Sequence, residues 1–534
     1  MQRWCRIAAF GLVLAVIACI FVLVQQNFNQ SETLPLPVPD GDQEVAWLHN
    51  PTSFESWENF VWGVKRAEML RSGFPNQLDV DDSQAFPSRT TEVPEIVIHR
   101  KGQEGKLRIR WYKFTSLTNQ ETWITALARR HPPPLAVIGG WSSDRAHELA
   151  EAMRNTSWSG SKPVLLLTQA TADIVYPNAL TISNVPNLIS VYERSFRFCF
   201  TNRQIAETVV DFVLSDTSLR PGQIGFSGVG VAGIAPFDHW SALATIVSHT
   251  WHEPGSIPTF TIAWNDDPYS TDLNLRFRES LRLRTKPPQL QLISYSVPFS
   301  TGRLNRPNRA ETEVVDHILA HLPSLGHRSL LVIPTVSAPA RRTIRALVEG
   351  DPKIGARLVA ITGDGLSVNT FFRDRDYAWP VRSLPVPIVL FTHANPFGWD
   401  LPGVSVAPPL GYELIPPKQG EVRSTTEDIH LFARLAEILT NAVFPEDQGK
   451  IVDSPDLIMD HFRSLSPAFF DAEGNRRSGT GEHIVVLRPA LTGDQPGPTQ
   501  IEGTLEVFTR LSGDAQWTRI HTLKLGRSYG GFVQ

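Results

Sequence analysis

Cysteine is scarce in this sequence, with three among 534 residues. Cys5 and Cys19 flank or occupy an apolar segment near the amino terminus, so Cys199 is the one cysteine in the bulk of the chain. A fold held together by disulfide bonds needs several cysteines at regular spacing, so that class is excluded. Stability must come from an apolar core, for which a chain of this length has ample material.

An excess of charge of either sign is also missing. Lys and Arg total 50, Asp and Glu total 54, and the formal net charge is −4 with 19% of residues charged. Proteins that bind nucleic acid carry clustered basic residues, so we expect no nucleic-acid partner. The 41 prolines are scattered between apolar runs and are typical of loops in an ordered protein. On the rule of ~150 residues per domain, the length predicts about three to four units.

One long apolar run lies near the amino terminus, from Ile7 to Val24. Its 18 residues, at ~1.5 Å each, approach the ~30 Å of a bilayer core. Arg3 and Arg6 precede it, and no Lys or Arg follows until Lys65. This bias predicts a single membrane-spanning signal anchor within residues 1–30, with the amino terminus in the cytoplasm and the rest on the periplasmic or other extracytoplasmic side.

Two other interpretations of the apolar segment remain open. The first is a cleaved signal peptide. The second is a lipoprotein signal, because Val16 to Cys19 fits a loose lipobox pattern. The apolar run continues past Cys19, and no small-residue cleavage pattern precedes Gln25, which favours the anchor. Residues 31–43 alternate Pro with small or apolar residues, which predicts an extended, semi-rigid linker.

After the linker, predicted strands and helices alternate along the chain. Continuous apolar runs such as Val164–Leu167 and Ile388–Phe391 are typical of parallel strands covered on both faces. Segments with apolar residues at helical spacing, such as Gln120–Arg129 and Asn202–Leu214, separate them. We therefore predict an α/β fold with two lobes built on parallel sheets. The predicted units are lobe I at 44–220, an insertion at 221–255, lobe II at 256–392, a return segment at 393–490 and a carboxyl-terminal extension at 491–534.

Four stretches of the chain carry a family resemblance. They are AVIGGWSSDRAHELAEAM at Ala136–Met153, VLLLTQATADI at Val164–Ile174 with SFRFCFTNRQIAETVVDFV at Ser195–Val213, AWNDDPYSTDLNLRFRESL at Ala263–Leu281, and FFDAEGNRRSG at Phe469–Gly479. In this order they resemble the type I periplasmic-binding-protein family, in particular its branched-chain amino acid receptors. The resemblance covers about Glu44 to Pro489. It implies two Rossmann-like lobes with a ligand between them.

The resemblance also implies which loops contact the ligand. The residues are Asn50, Ser53, Trp141, Ser142, Ser143, Thr168, Gln169, Ala170 and Thr171 in lobe I, and Asp267, Tyr269, Ser270 and Asp364 in lobe II. Hydroxyl groups beside helix amino termini suit a carboxylate. Asp267 and Asp364 suit an ammonium group, and Trp141 or Tyr269 suits an apolar or cationic one. Ser and Asp at such positions also commonly cap helices, and Trp141 is equally compatible with packed core.

Other motifs do not support a different chemistry. The spacing of Gly228, Gly230 and Gly233 lacks the surrounding strand and helix of a dinucleotide site. No nucleophile elbow surrounds Ser227. Three histidines could suggest a metal site, namely His249, His252 and His393. No Cys or carboxylate lies near them at the spacing of zinc ligands, so we expect neither metal nor cofactor.

These features predict a non-enzymatic, membrane-anchored solute-binding protein of the ABC-transporter type. Its ligand would be a small polar solute such as an amino acid or amide, and its partner a membrane permease or signalling protein. A second hypothesis keeps the fold without a transport role, as a receptor-like interaction module whose cleft is filled by its own insertion. A third is an extracytoplasmic enzyme. The insertion at Ile224–Glu253, the Tyr-Ser-Thr-Asp sequence from Tyr269 and the long tail depart from the family pattern.

Overall fold

The computed structural model describes residues 35–50, 54–71, 78–89, 91–115, 118–175, 186–223, 257–285, 290–298, 306–366, 386–396, 426–445, 449–465, 469–479, 481–489, 503–510 and 516–525. Within these ranges, no helix has the length and hydropathy required to cross a membrane. The predicted membrane helix, Ser53 and residues 224–255 of the predicted insertion lie outside the described residues.

Sixteen strands and nine α-helices occur in the described part of the chain. The strands are β1 Gln43–His49, β2 Leu78–Asp81, β3 Glu95–Arg100, β4 Leu107–Lys113, β5 Ala136–Gly139, β6 Val164–Leu167, β7 Ser195–Arg197, β8 Gly222–Gln223, β9 Ile257–Trp264, β10 Leu290–Val297, β11 His327–Val332, β12 Leu358–Ile361, β13 Ile388–Thr392, β14 His483–Pro489, β15 Gly503–Thr509 and β16 Thr518–Leu525. The helices are α1 Phe54–Arg71, α2 Gln120–Arg129, α3 Ser143–Asn155, α4 Asn202–Ser215, α5 Pro268–Arg284, α6 Arg309–Ala320, α7 Ser337–Gly350, α8 Thr426–Val443 and α9 Pro455–Ser464.

Lobe I is built on a seven-stranded sheet in the order β2-β3-β4-β1-β5-β6-β7. The five strands from β4 to β7 in this order run parallel, and β2 and β3 pair antiparallel at one edge. Every residue of β1, β5 and β6 is buried, as expected of strands covered by helices on both faces. The apolar runs of the sequence therefore become the centre of this sheet.

Lobe II is built on a nine-stranded sheet in the order β10-β9-β11-β12-β13-β14-β15-β16, with β8 paired to β11. The strands from β10 to β13 are parallel, and β14, β15 and β16 add antiparallel strands at the far edge. The two-lobed α/β fold predicted from the sequence is thus confirmed. The central strands of both sheets are parallel, as predicted, and antiparallel strands extend each sheet at one edge.

The chain passes between the lobes more than once. After β7, the apolar face of α4 packs on the second sheet, through residues such as Ile205 and Val209. After β13, α8 and α9 return to the core of lobe I, through residues such as Phe432 and Phe462. After Phe470, the chain crosses again to form β14. Lobe II therefore includes α4, which the predicted boundary at residue 220 assigned to lobe I, and β15 and β16 of the predicted extension.

The end of the linker is fastened to lobe I by a buried ion cluster. Glu44 on β1 is 1% exposed and contacts Arg110 and Arg130, each at 2.8 Å. Arg110 donates to the carbonyl oxygens of Leu36 and Pro37 at 3.1 Å, and Arg130 donates to that of Leu36 at 3.0 Å. Residues 36 and 37 are thus held at the amino end of β1, at the opposite edge of the sheet from the strand carboxyl ends.

Candidate functional site

The carboxyl ends of the parallel strands in the two lobes face each other. The backbone N–H of Asp173, which follows β6 in lobe I, donates to the carboxylate of Asp272 on α5 of lobe II at 2.8 Å. Helix α3 of lobe I contacts α5 of lobe II. Arg476 joins the two sheets by donating to the carbonyl oxygens of Phe198, after β7, and His393, after β13. Open α/β sheets bind ligands at this edge, so most of the predicted residues lie where such a site would form.

Each sheet also has a switch point, a position from which successive strands are added in opposite directions. In lobe I it lies between β1 and β5, whose carboxyl ends lead to Asn50 and Trp141. In lobe II it lies between β9 and β11, whose carboxyl ends lead to Asp267 and Thr335. A crevice is expected at a switch point. The hydroxyl of Thr335, which the sequence reasoning missed, is buried without a hydrogen-bond partner in the described structure.

Three aromatic rings meet at the lobe I switch point. The ring of Trp141 lies 4.5 Å from that of His49 and 5.5 Å from that of Phe114. Trp141 is only partly buried, whereas His49 is almost fully buried. Burial lowers the pKa of His49 to about 4, so this ring is neutral at physiological pH. We call these three rings the aromatic ledge, which offers an uncharged face to a ligand.

The amino terminus of α3 presents the two predicted serines differently. Ser142 is the residue that caps the helix, but its side chain makes no capping hydrogen bond. Ser143 is buried, and its hydroxyl oxygen accepts from the backbone N–H of Ala172 at 3.2 Å. Ser142 therefore keeps both its hydroxyl donor and its acceptor positions for a ligand, next to the positive end of the helix dipole. Ser143 instead positions the neighbouring loop.

A buried arginine donates hydrogen bonds to the end of the predicted loop from Thr168 to Thr171. Arg197 on β7 is 0% exposed and donates to the carbonyl oxygens of Thr171 and Ala172 at 3.3 and 3.1 Å. The thiol of Cys199 contacts the carbonyl oxygen of Ala170 at 3.5 Å. Gln169 is only partly buried, whereas Thr168 is almost fully buried. The hydroxyl of Thr171 is buried and has no hydrogen-bond partner in the described structure, which is uncommon for a buried polar group.

In lobe II, Asp267 caps the amino terminus of α5. Its carboxylate accepts from the backbone N–H of Tyr269 at 3.1 Å. Burial is the main cause that raises the pKa of Asp267 to about 6, and the carboxylates of Asp144 on α3 and Asp266 add to the effect. Ser270 is fully buried and accepts from the backbone N–H of Trp264 at 3.0 Å, which gives it a structural role.

Tyr269, Asp364 and His393 form a hydrogen-bonded chain. The Tyr269 hydroxyl donates to Asp364 Oδ1 at 3.0 Å and accepts from the N–H of Gly365 at 2.8 Å. His393 Nε2 lies 2.9 Å from Asp364 Oδ2, while its Nδ1 faces the N–H of Phe200 at 3.3 Å. Nδ1 must accept from that N–H, so Nε2 carries a proton and donates to Asp364. Both oxygens of Asp364 are thus bonded within the protein, and its predicted pairing with an ammonium group remains a prediction.

Replacing the Tyr269 hydroxyl tests the strength of this chain. Tyr269→Phe leaves Asp364 Oδ1 and the N–H of Gly365 without their partner, so we expect the free energy of unfolding to fall by about 1–3 kcal/mol. Urea denaturation followed by tryptophan fluorescence measures it. Tyr295→Phe is the matched control, since the Tyr295 hydroxyl contacts His317 at an exposed site, and we expect a change below about 0.5 kcal/mol. Equal losses in the two variants would contradict the assigned role.

The possible metal ligands and the thiol of Cys199 bear on which chemistry this edge can perform. No group of three His, Cys, Asp or Glu side chains that could hold a metal occurs among the described residues. Cys199 is buried, and burial raises the pKa of its thiol to about 12. A thiol with this pKa is protonated and unreactive at neutral pH.

The predicted Asn50 lies partly buried at the end of β1.

Comparisons with known proteins find similar architecture and no close sequence relative. No family model matches the sequence, and no curated protein matches it. An ABC transporter substrate-binding protein from Desulfitobacterium hafniense, in complex with Leu, is 13% identical, with a TM-score of 0.44 over 84% of this chain and 98% of the other. The leucine-binding protein LivK from Thermotoga maritima is 12% identical, with a TM-score of 0.46 over 90% and 98%. A solute-binding protein from Rhodopseudomonas palustris, in complex with 4-hydroxybenzoate, is 11% identical, with a TM-score of 0.44 over 91% and 98%.

Proposed function

We propose that this protein is an extracytoplasmic, membrane-anchored solute-binding protein that takes a small polar ligand between its two lobes. The observation that carries the proposal is the facing of the two switch points, with the aromatic ledge and Ser142 on one side and Asp267 on the other. Closure of two lobes by rigid-body rotation would bury a ligand there. The apolar run at residues 7–24 supports the membrane anchor.

The charges at the two sides suit a ligand that carries both signs. Ser142 and the amino terminus of α3, together with the Thr171 hydroxyl, favour a carboxylate. Asp267 favours an ammonium group, and a cation beside it would lower its raised pKa by stabilising the carboxylate. The aromatic ledge provides a surface for an apolar or ring-shaped substituent. An amino acid or its amide is therefore the class we propose, delivered to a membrane permease with no chemical step.

A solute panel tests the proposal directly. Amino acids, their amides and small carboxylic acids are added to the full-length protein, and the thermal midpoint is recorded. A ligand present at about 100 times its Kd stabilises the native state by about 2.7 kcal/mol, which raises the midpoint by several degrees. We expect amino acids or amides to raise it and matched acids without an amine to have a smaller effect.

A variant of the capping carboxylate provides the control for that panel. Asp267→Asn keeps the cap of α5 and removes the negative charge, so the preference for an amine over the matched acid should disappear. Midpoints that stay fixed with every solute would contradict the proposed function. A midpoint shift that is unchanged in Asp267→Asn would contradict the assigned ammonium position.

A further inference from the structure

A cluster of buried charged residues joins the two lobes beside the candidate site. Asp272 on α5 is fully buried, and its Oδ2 accepts from the backbone N–H of Asp173 at 2.8 Å and from Asn202 Nδ2 at 2.9 Å. Asp173 follows β6 in lobe I, directly after the loop that contains Thr168 and Thr171. The contact therefore ties the loop of lobe I to the first turns of α5, the helix that begins beside Asp267.

Two carboxylates share one arginine in this cluster. Arg276 Nε lies 3.2 Å from Asp173 Oδ2 and 3.5 Å from Asp272 Oδ1, and the side chains of all three residues are at least nine-tenths buried. Further charges surround them. Arg197 on β7 and Arg203 on α4 each lie 4.0 Å from Asp173, and Glu279 on α5 accepts from Arg276 at 3.0 Å. With every group ionised, the three carboxylates and the three arginines balance in charge. Asp173 and Glu279 each lie within 3.2 Å of Arg276, whereas Asp272 lies 3.5 Å from it.

The hydrogen bonds of the cluster are incomplete on the Asp272 side. Asp272 Oδ1, Asn202 Oδ1 and the Thr171 hydroxyl are buried and have no hydrogen-bond donor in the described structure. Buried acceptors without donors are costly. A proton on Asp272 Oδ1 would supply one donor and remove one buried negative charge.

We infer that Asp272, with Asp173 and Arg276, is a proton-linked latch that positions the amino-terminal turns of α5 against the loop of lobe I. Asp272 is a positioning residue, since it acts through α5 and Asn202 and lies outside the proposed ligand contacts. Its part in solute binding rests on the proposed function. The latch itself is a contact between the lobes that can be measured without any solute.

The direction of the pH effect follows from the burial of Asp272. Burial, and secondly the charge of Asp173, raise the pKa of Asp272 to about 6 in the latched arrangement, against an ordinary value of 3.8. The latched state therefore binds the proton more tightly than an open state in which Asp272 meets water. Latching gains stability as pH falls from about 6 towards 4 and loses it as pH rises through 6. Between pH 7.5 and pH 5, this shift predicts about a tenfold rise in the ratio of latched to open molecules.

Distances between spin labels on the two lobes test the latch in the full-length protein without solute. The labels are placed through Glu121→Cys on α2 and Lys353→Cys after α7, both exposed, in a Cys5→Ser, Cys19→Ser background; buried Cys199 is retained. We expect the short-distance population to grow about tenfold relative to the long one between pH 7.5 and pH 5. Asp272→Asn mimics the protonated acid and should fix the ratio at its acidic value at both pH values.

Two further variants make the test decisive. Asp173→Asn removes the charge that helps to raise the pKa of Asp272, so the midpoint of the distance change should move to lower pH. Glu151→Gln on α3 is the matched control, because it removes a carboxylate that is 45% exposed and contacts Arg154 outside the cluster. A distance distribution that does not depend on pH, or a dependence that survives Asp272→Asn or is abolished by Glu151→Gln, would overturn the inference. A failed solute panel would leave this outcome unaffected.

Discussion

Replacing Glu44 with alanine is expected to lower the free energy of unfolding of lobe I by about 3–5 kcal/mol, because it removes the buried carboxylate that buried Arg110 and partly buried Arg130 share. Glu44 is 1% exposed and receives hydrogen bonds from Arg110, Arg130 and Tyr112. Burial and the Glu44 charge raise the pKa of Tyr112 well above its ordinary value, so its hydroxyl remains a donor. Removing this acceptor therefore leaves buried donors of Arg110 and Tyr112, and a partly buried donor of Arg130, without it.

Urea denaturation followed by tryptophan fluorescence measures the effect, since Trp47 and Trp111 lie in the lobe I core. Glu151→Ala on α3 is the matched control. Its carboxylate is 45% exposed and contacts Arg154 at 3.5 Å, and such exposed pairs contribute under about 1 kcal/mol. The linker should also be released in Glu44→Ala, because Arg110 and Arg130 hold Leu36 and Pro37. A loss below about 1 kcal/mol would show that the cluster does not stabilise lobe I.

Replacing Trp141 with alanine should weaken solute binding about 10- to 100-fold, equivalent to about 1.4–2.7 kcal/mol. Trp141 is the partly exposed ring of the aromatic ledge, and its neighbours His49 and Phe114 fix its position. Removing it takes away most of the apolar surface that the ledge offers a ligand. Because Trp141 is partly exposed, the fold should be kept.

Isothermal titration with the best solute of the panel gives the Kd of each variant. Trp62→Ala is the matched control, since Trp62 is 42% exposed on α1 and its ring contacts Lys65 of the same helix; the Kd of this variant should equal that of the wild type. Thermal midpoints of the solute-free variants check that both remain folded. Equal Kd values for Trp141→Ala and the wild type would remove the ledge from the site.

Local sequence patterns predicted the elements well but could not predict how they pack. The bounds of α2 and β6 agree with the prediction to the residue, because each has a clear apolar pattern. The antiparallel strands β2 and β3 were missed, since Leu78–Asp81 is short and half polar. The packing of α4 on the second sheet was also missed. Its apolar face fits either sheet, and only the tertiary structure selects one.

The candidate site could likewise be predicted from the sequence only in part. The family resemblance pointed to Trp141, Thr171 and Asp267, and these residues share one edge because they follow the carboxyl ends of parallel strands. The latch was not predicted. Asp272 and Arg276 are four residues apart on a helix, a spacing typical of exposed ion pairs. Their burial beside Asn202 and the loop of lobe I depends on contacts between distant segments. Asp364 was located, but its bonds to Tyr269 and His393 depend on contacts between distant segments.

A crystal structure of the full-length protein with the best solute of the panel tests the central claim most directly. We expect density for one solute molecule between the lobes, with its ring or apolar part on Trp141, its carboxylate at Ser142 and Thr171 and its amine at Asp267. Solute density outside the two switch points, or a cleft filled by the chain itself, would contradict the account.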